Sequence, residues 1–138
     1  MIKAESDQVL VKASAPVLFQ YLGNFNNFGK LMPPQVTNWQ STEHECSFTI
    51  QGMADIELYT IEKVAPSMIH IGARGKTPIP LEMKWNFSGV SELETNAVLS
   101  LQADINPVMA MMAKAPLQNF VNMLAQKLKE LADSGLIS

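Results

Sequence analysis

The stretch LEMKWNFSGVSELETNAVLSLQADINPVMAMM, residues 81–112, decides the fold. Its first part has one apolar phase, formed by Leu81, Met83, Trp85 and Phe87. After a turn near 89–94, a second apolar phase is formed by Ala97, Leu99, Leu101 and Ala103. The residues between them are mostly polar. Alternation in consecutive segments predicts antiparallel strands with one apolar and one wet face.

The same stretch ends at the start of a long helix. Asn106 is a favourable N-cap and Pro107 suits the first helical position. The helical pattern continues to about Ala132, and Gly135 follows as a C-terminal signal. The predicted apolar stripe consists of Met109, Met112, Leu117, Phe120, Leu124, Leu128 and Leu131. Pro116 interrupts the pattern and predicts a kink or break.

Upstream of residue 81, the sequence predicts further strands and two short helices. Alternation from Gln35 to Asp104 indicates about six strands, with a hairpin turn at Gly52-Met53. The N-terminal strand, Ile2 to Ala13, is interrupted at Ser6-Asp7, which predicts a bulge or a late start. Two short helices follow, capped by Ser14 and Asn24. The burial pattern therefore predicts an α+β fold, with the long helix laid across a curved antiparallel sheet.

Composition excludes several classes of protein. The 138 residues suit a single domain, 1–138, and 47% are hydrophobic against 17% charged. The net charge of -3 argues against a nucleic-acid partner. One cysteine excludes a disulfide framework within one chain. No apolar run is long enough to span a membrane, and the N-terminus lacks a secretory signal, so we expect a soluble, cytoplasmic protein.

The order of elements resembles the helix-grip fold of the START-like, or SRPBCC, superfamily. The resemblance covers nearly the whole chain and is carried best by ASAPVLFQYL at 13–22 and INPVM at 105–109. This superfamily includes polyketide cyclase-like proteins and the birch pollen allergen family. The resemblance implies a hydrophobic cavity between sheet and long helix. Members bind lipids, sterols, polyketides or plant hormones, a minority catalyse reactions, and others act through protein partners.

The residues that could carry chemistry favour structural roles. His44 and His70 are predicted to be exposed, which makes a zinc site improbable. Cys46 shares the apolar phase of its strand and is predicted to be a buried, unreactive thiol. The carboxylates fall on polar phases: Asp55, Glu57, Glu82 and Asp104. We therefore predict no catalytic residue, no metal and no cofactor.

The leading hypothesis is binding or carrying of a lipid-like or polyketide-like small molecule. The predicted lining residues are Phe28, Met83, Trp85, Phe87, Leu99, Leu101, Met109, Met112, Phe120 and Leu124. The second short helix and the loop from Gly75 to Pro80 are predicted to form the mouth. The methionines, nine in all, act either as core filler or as a pliable lining.

The sequence leaves two alternative functions open, and one further residue could contact a ligand. A cyclase-like enzyme would need Asp104 or Tyr59 to point inward, to serve as an acid or a proton donor. Arg74 borders the predicted mouth, where it would reach a ligand carboxylate if it is not a solvated surface residue. A protein-interaction module would instead show an exposed cluster of Leu10, Val98 or Tyr59. The sequence also leaves a homodimer open.

Overall fold

A computed structural model describes residues 2–51, 54–75 and 77–137, and the predicted hairpin turn at Gly52-Met53 lies outside them. The described part contains an eight-stranded antiparallel sheet and three α-helices. The strands are β1 (Ile2–Glu5), β2 (Val9–Val11), β3 (Val36–Ser41), β4 (Glu45–Ile50), β5 (Ala54–Val64), β6 (Met68–Arg74), β7 (Leu81–Ser91) and β8 (Glu94–Ala103). The helices are α1 (Ala15–Leu22), α2 (Phe25–Phe28) and α3 (Pro107–Asp133).

The sheet is a meander from β3 to β8, and the N-terminal strands β1 and β2 pair with its last strand. Its order is β1-β8-β7-β6-β5-β4-β3, with β2 also paired to β8. β3 to β8 therefore follow one another in chain order, as consecutive alternating segments predict. The two alternating segments of residues 81–103 form β7 and β8, which pair directly, with Met83 opposite Leu101 and Trp85 opposite Leu99. This register places both apolar phases on the same inner face.

The N-terminal strand is split, as the Ser6-Asp7 pair predicts. β1 and β2 both pair with β8, and Ser6 lies between them. The Ser6 backbone N–H donates to the Leu99 carbonyl at 2.8 Å, and the Leu99 N–H donates to Ser6 Oγ at 2.9 Å. The serine thereby supplies hydrogen bonds to β8 where the ladder is interrupted.

The two short helices begin at their predicted caps. Ser14 Oγ accepts from the Val17 N–H at the start of α1, and Asn24 Oδ1 accepts from the Asn26 N–H at the start of α2. A 3-10 turn, Gly29–Leu31, continues α2. Phe25 and Phe28 of α2 are buried, so this segment covers one end of the inner face.

The long helix α3 departs from its prediction in two ways. It runs without a break through Pro116, so the predicted break does not occur. Its seven buried residues all lie at or after Leu117, whereas Met109 and Met112 are 53% and 77% exposed. The helix packs against β1, β2 and β8, and before the proline its residues are at most half-buried. The apolar stripe is thus continuous in sequence but only partly buried.

No helix in the described ranges is both long and apolar enough to cross a membrane.

Candidate functional site

A cavity lies between the inner face of the sheet and the first turns of α3. Its volume is about 520 Å³, within the size range of small-molecule sites. Every described residue that lines it has an apolar side chain. They are Phe48, Ile50, Ala54, Ile56, Leu58, Pro78, Ile79, Leu81, Met83, Leu101, Ile105, Met109, Met112, Ala113, Pro116, Leu117 and Phe120. The space therefore suits an apolar occupant.

One wall of the cavity comes from β4 and β5. Phe48 pairs with Ile56 across these strands, and Ile50 pairs with Ala54, so their side chains share one face. These residues were absent from the predicted lining, although their alternation was visible in the sequence. The missing information was which part of the inner face lies beneath the exposed start of α3.

The mouth of the cavity is formed by the loop after β6 and by the first turns of α3. Gly75, at φ +63°, turns the chain after Arg74, and Pro78 and Ile79 then reach the cavity. Thr77 holds this loop against β5, because its Oγ1 accepts from the Glu57 N–H at 2.9 Å. The predicted loop therefore borders the cavity, whereas α2 contributes no lining residue.

The exposed start of α3 gives the mouth an apolar rim. Met109 and Met112 line the cavity, while Val108 and Met111 point elsewhere and are 71% and 84% exposed. A continuous exposed run of large apolar side chains is uncommon on a monomer surface. Here it adjoins the entrance to an apolar cavity.

The ten predicted lining residues fall into two groups. Five line the cavity: Met83, Leu101, Met109, Met112 and Phe120. The other five are buried in the core beside it: Phe28, Trp85, Phe87, Leu99 and Leu124. Trp85, Phe87 and Leu99 lie on the inner face of the sheet, whereas Phe28 belongs to α2 and Leu124 to the second half of α3.

The cyclase-like alternative required an inward Asp104 or Tyr59. Both residues instead border a shallow groove on the outer face, and Asp104 is exposed. A register shift does occur in β5, between Thr60 and Glu62, but it leaves Leu58 inward and Tyr59 outward. Among the described lining residues, none carries a side chain that can act as an acid or a base.

Arg74 is held on the outer face, away from the mouth. Its guanidinium forms an ion pair with Glu45 and lies 4.8 Å from the centre of the Tyr59 ring. Both contacts fix the side chain over the outer surface of β5 and β6. The sequence-based idea that Arg74 meets a ligand carboxylate therefore has no support in this geometry.

The histidines lie outside the cavity. His44 is exposed, as predicted. The His70 side chain is only 24% exposed and its Nε2 lies 2.9 Å from Glu82 Oε1, so the prediction of an exposed His70 was wrong in degree. Within the described ranges, no group of three His, Cys, Asp or Glu side chains is placed to hold a metal ion.

The residues proposed for an interaction surface do not form one cluster. Leu10 is exposed on β2, at the edge of the sheet, and Val98 is half-buried on neighbouring β8. Tyr59 is half-buried on β5, which is separated from β8 by β6 and β7. Four exposed large apolar residues instead lie close together at the start of α3: Val108, Met109, Met111 and Met112.

Comparisons with known proteins give similarity in structure alone. No protein-family model matches the chain, and no curated protein matches its sequence. The solved structure of XoxI from Bacillus cereus superposes with a TM-score of 0.76 at 10% identity, covering 100% of both chains. A START superfamily protein from Mycobacterium smegmatis gives a TM-score of 0.69 at 13% identity, over 96% of this chain and 97% of its own.

A protein from a biosynthetic pathway has a similar fold. The di-domain ARO/CYC BexL, from the BE-7585A biosynthetic pathway, gives a TM-score of 0.72 at 18% identity. The match covers 94% of this chain but 46% of BexL, so the chain spans about half of that protein. Together these similarities show that the chain has a START-like fold. At such identities they do not transfer an activity.

Proposed function

We propose that this START-like protein binds or carries a neutral hydrophobic small molecule in the cavity between its sheet and α3. The observation that supports the proposal best is a cavity of about 520 Å³ whose described lining is entirely apolar. Removing apolar ligand surface from water is favourable by about 25 cal/mol per Å², before the costs of ordering the ligand are subtracted.

The lining also indicates which ligands are disfavoured. A buried ion must find a partner charge or hydrogen bonds, and no described lining residue has a charged side chain. A charged group on the ligand would therefore have to remain at the mouth, in water. We infer that the enclosed part of the ligand is neutral.

The first experiment asks whether the purified protein retains a ligand. Its mass is measured under native and then denaturing conditions, and an organic extract of the same sample is analysed. We expect a reproducible neutral apolar molecule that is released on denaturation. A ligand-free mass, with no thermal shift from a panel of lipids and polyketides, would overturn the proposal.

A matched pair of variants tests whether the ligand enters at α3. Met112 lines the cavity and Met111 does not, yet both are exposed residues of the same helix turn. Met112→Asp places a charge at the entrance and is expected to weaken uptake by about 10-fold or more, because the charge loses water when a ligand covers it. Met111→Asp should bind like the parent protein. Equal binding by all three proteins would exclude this entrance.

A further inference from the structure

One buried donor near the cavity has no partner. The Trp85 side chain is fully buried, and its indole Nε1–H has no hydrogen-bond acceptor within the described chain. The other indole, that of Trp39, donates to Ser41 Oγ at 3.1 Å. Leaving a buried donor unsatisfied is unfavourable, and such groups are uncommon in folded proteins. The orphaned donor therefore calls for an explanation.

The surroundings of Trp85 cannot supply a good acceptor. Its partners across the sheet are Ile69 and Leu99, and its ring stacks on Phe87 at 6.1 Å between centroids. The Phe28 ring lies edge-on at 6.4 Å, and an aromatic face is only a weak acceptor. None of these four side chains offers the indole N–H a strong acceptor.

Trp85 is the next inward-facing residue of β7 after Met83, which lines the cavity. It follows Met83 on the inner face of β7, and a two-residue step along a strand is about 7 Å. Met83 and its partner Leu101 both line the cavity, so Trp85 and Leu99 form the layer behind them. Met83 has an unbranched, flexible side chain that can change rotamer to admit a ligand atom.

We propose that Trp85 is the specificity-determining residue of this cavity and that its indole N–H donates to a single oxygen at the inner end of the ligand. This inference rests on the proposed function and narrows it. The ligand class is a long apolar molecule with one neutral acceptor, such as a ketone, aldehyde or ester carbonyl. A pure hydrocarbon fills the same space but leaves the donor unsatisfied.

Two probes of nearly the same shape separate these ligand classes. They are methyl nonyl ketone and the alkene in which C=CH₂ replaces its C=O. Proton–nitrogen correlation NMR of the unmodified protein shows each indole N–H as a separate signal, and Trp39→Phe identifies which signal belongs to Trp85. We expect the ketone to shift the Trp85 signal downfield and the alkene to leave it without that shift.

The second measurement compares the affinities of both probes for the parent protein and for Trp85→Phe. Trp85→Phe should weaken ketone binding by about 3- to 10-fold and leave alkene binding unchanged, as expected for the loss of one neutral hydrogen bond. For each probe, the Kd for Trp85→Phe is divided by the Kd for the parent protein. Comparing the ketone ratio with the alkene ratio cancels the different water solubilities of the probes. If Trp85→Phe does not fold, the NMR comparison on the unmodified protein decides alone.

The outcomes separate the two proposals. Binding of both probes, with no ketone-specific shift and equal losses in Trp85→Phe, would overturn the role of Trp85 while leaving the apolar cavity as a binding site. Binding of neither probe, in the same experiment at saturating probe concentration, would overturn both.

Discussion

Cys46 points from β4 into the apolar interior, where only 5% of the residue is exposed. Burial raises the pKa of its thiol to about 12, because the thiolate would lose its hydration there. The neighbouring Glu45 charge raises this pKa further, while a hydrogen bond from the Leu58 backbone opposes the rise. The predicted buried and unreactive thiol is therefore confirmed in its burial and has a physical basis for low reactivity.

The raised pKa of Cys46 predicts a loss of stability in alkali. Between pH 9 and 12 the folded thiol keeps its proton while the unfolded thiol, with its ordinary pKa of 9.0, loses it. The folded state then binds more protons, so the free energy of unfolding falls as pH rises through this range. We expect denaturant titrations to show a steeper fall in the parent protein than in Cys46→Ala.

The comparison with Cys46→Ala isolates the thiol, because every other titratable group is the same in both proteins. Parallel stability curves for the two proteins from pH 9 to 12 would contradict the assigned pKa. The rate at which Cys46 is alkylated in the native protein is an independent measurement. This rate should be low near neutral pH, because a thiol with this pKa is almost wholly protonated there.

At the scale of elements, α3 behaves as two segments with different surroundings. The part before Pro116 has no fully buried residue, while the part from Leu117 onward packs on the sheet. Pro116 also has no N–H, so the Met112 carbonyl lacks its usual helical donor. The first segment is therefore held mainly by its own helical hydrogen bonds and by the Asn106 cap.

We predict that amide hydrogens in residues 108–115 exchange faster with deuterium than those in 117–132. Local opening is easiest where few apolar contacts must be broken. An apolar ligand in the cavity should slow exchange in the first segment and change the second little. Hydrogen–deuterium exchange with mass spectrometry measures both. Equal protection of the two segments without ligand would contradict this view of α3.

The mouth loop gives a second prediction at this scale. Thr77 Oγ1 contacts both the Glu57 N–H and the Arg74 carbonyl, at 2.9 Å each. Thr77→Val removes these bonds while keeping the side-chain shape, and should destabilise the protein by about 1 kcal/mol. Since Pro78 and Ile79 follow directly, we also expect faster ligand dissociation, measured by stopped-flow displacement of a fluorescent apolar probe.

Thr42→Val is the matched control for the loop, because Thr42 is an exposed turn residue remote from the cavity. It should leave the dissociation rate unchanged. Slower or unchanged dissociation in Thr77→Val would show that Thr77 does not restrain the mouth.

The elements of the fold were predictable because local chemistry specifies them. The caps Ser14, Asn24 and Asn106 start their helices as predicted, and the alternation in 81–103 gives the correct faces of β7 and β8. The helix runs through Pro116, so the break that the sequence allowed for is absent. The exposure of the first turns was not visible in the sequence, because Met109 and Met112 continue the apolar stripe.

At the scale of the whole molecule, a ligand is expected to stabilise the fold by mass action. At about 100 times its Kd, a ligand that binds only the folded state adds about 2.7 kcal/mol. For a chain of 138 residues this corresponds to a rise in Tm of about 9 °C. Differential scanning calorimetry with the methyl ketone should show it. No rise in Tm at a saturating concentration of the ketone would contradict binding of this ligand to the folded protein.

The cavity itself could be predicted only in outline. Alternation tells which residues face inward, but Met83 and Trp85 share that property and differ in depth. Depth depends on where α2 and the second half of α3 press on the sheet, which is a property of the assembled fold. For the same reason the contribution of β4 and β5 to the lining was missed, although both strands were recognised.

The methionine rim has a consequence for how the protein responds to oxidants. Met109, Met111 and Met112 are exposed, whereas Met83 is enclosed, so peroxide should convert the first three to sulfoxides well before the last. A sulfoxide is polar, and at positions 109 and 112 it would line the entrance to an apolar cavity. Peptide mapping after mild peroxide treatment gives the fraction of each methionine that is still unoxidised. Ligand uptake should fall as this fraction falls at Met109 and Met112. The thioether side chains would then make uptake sensitive to redox conditions.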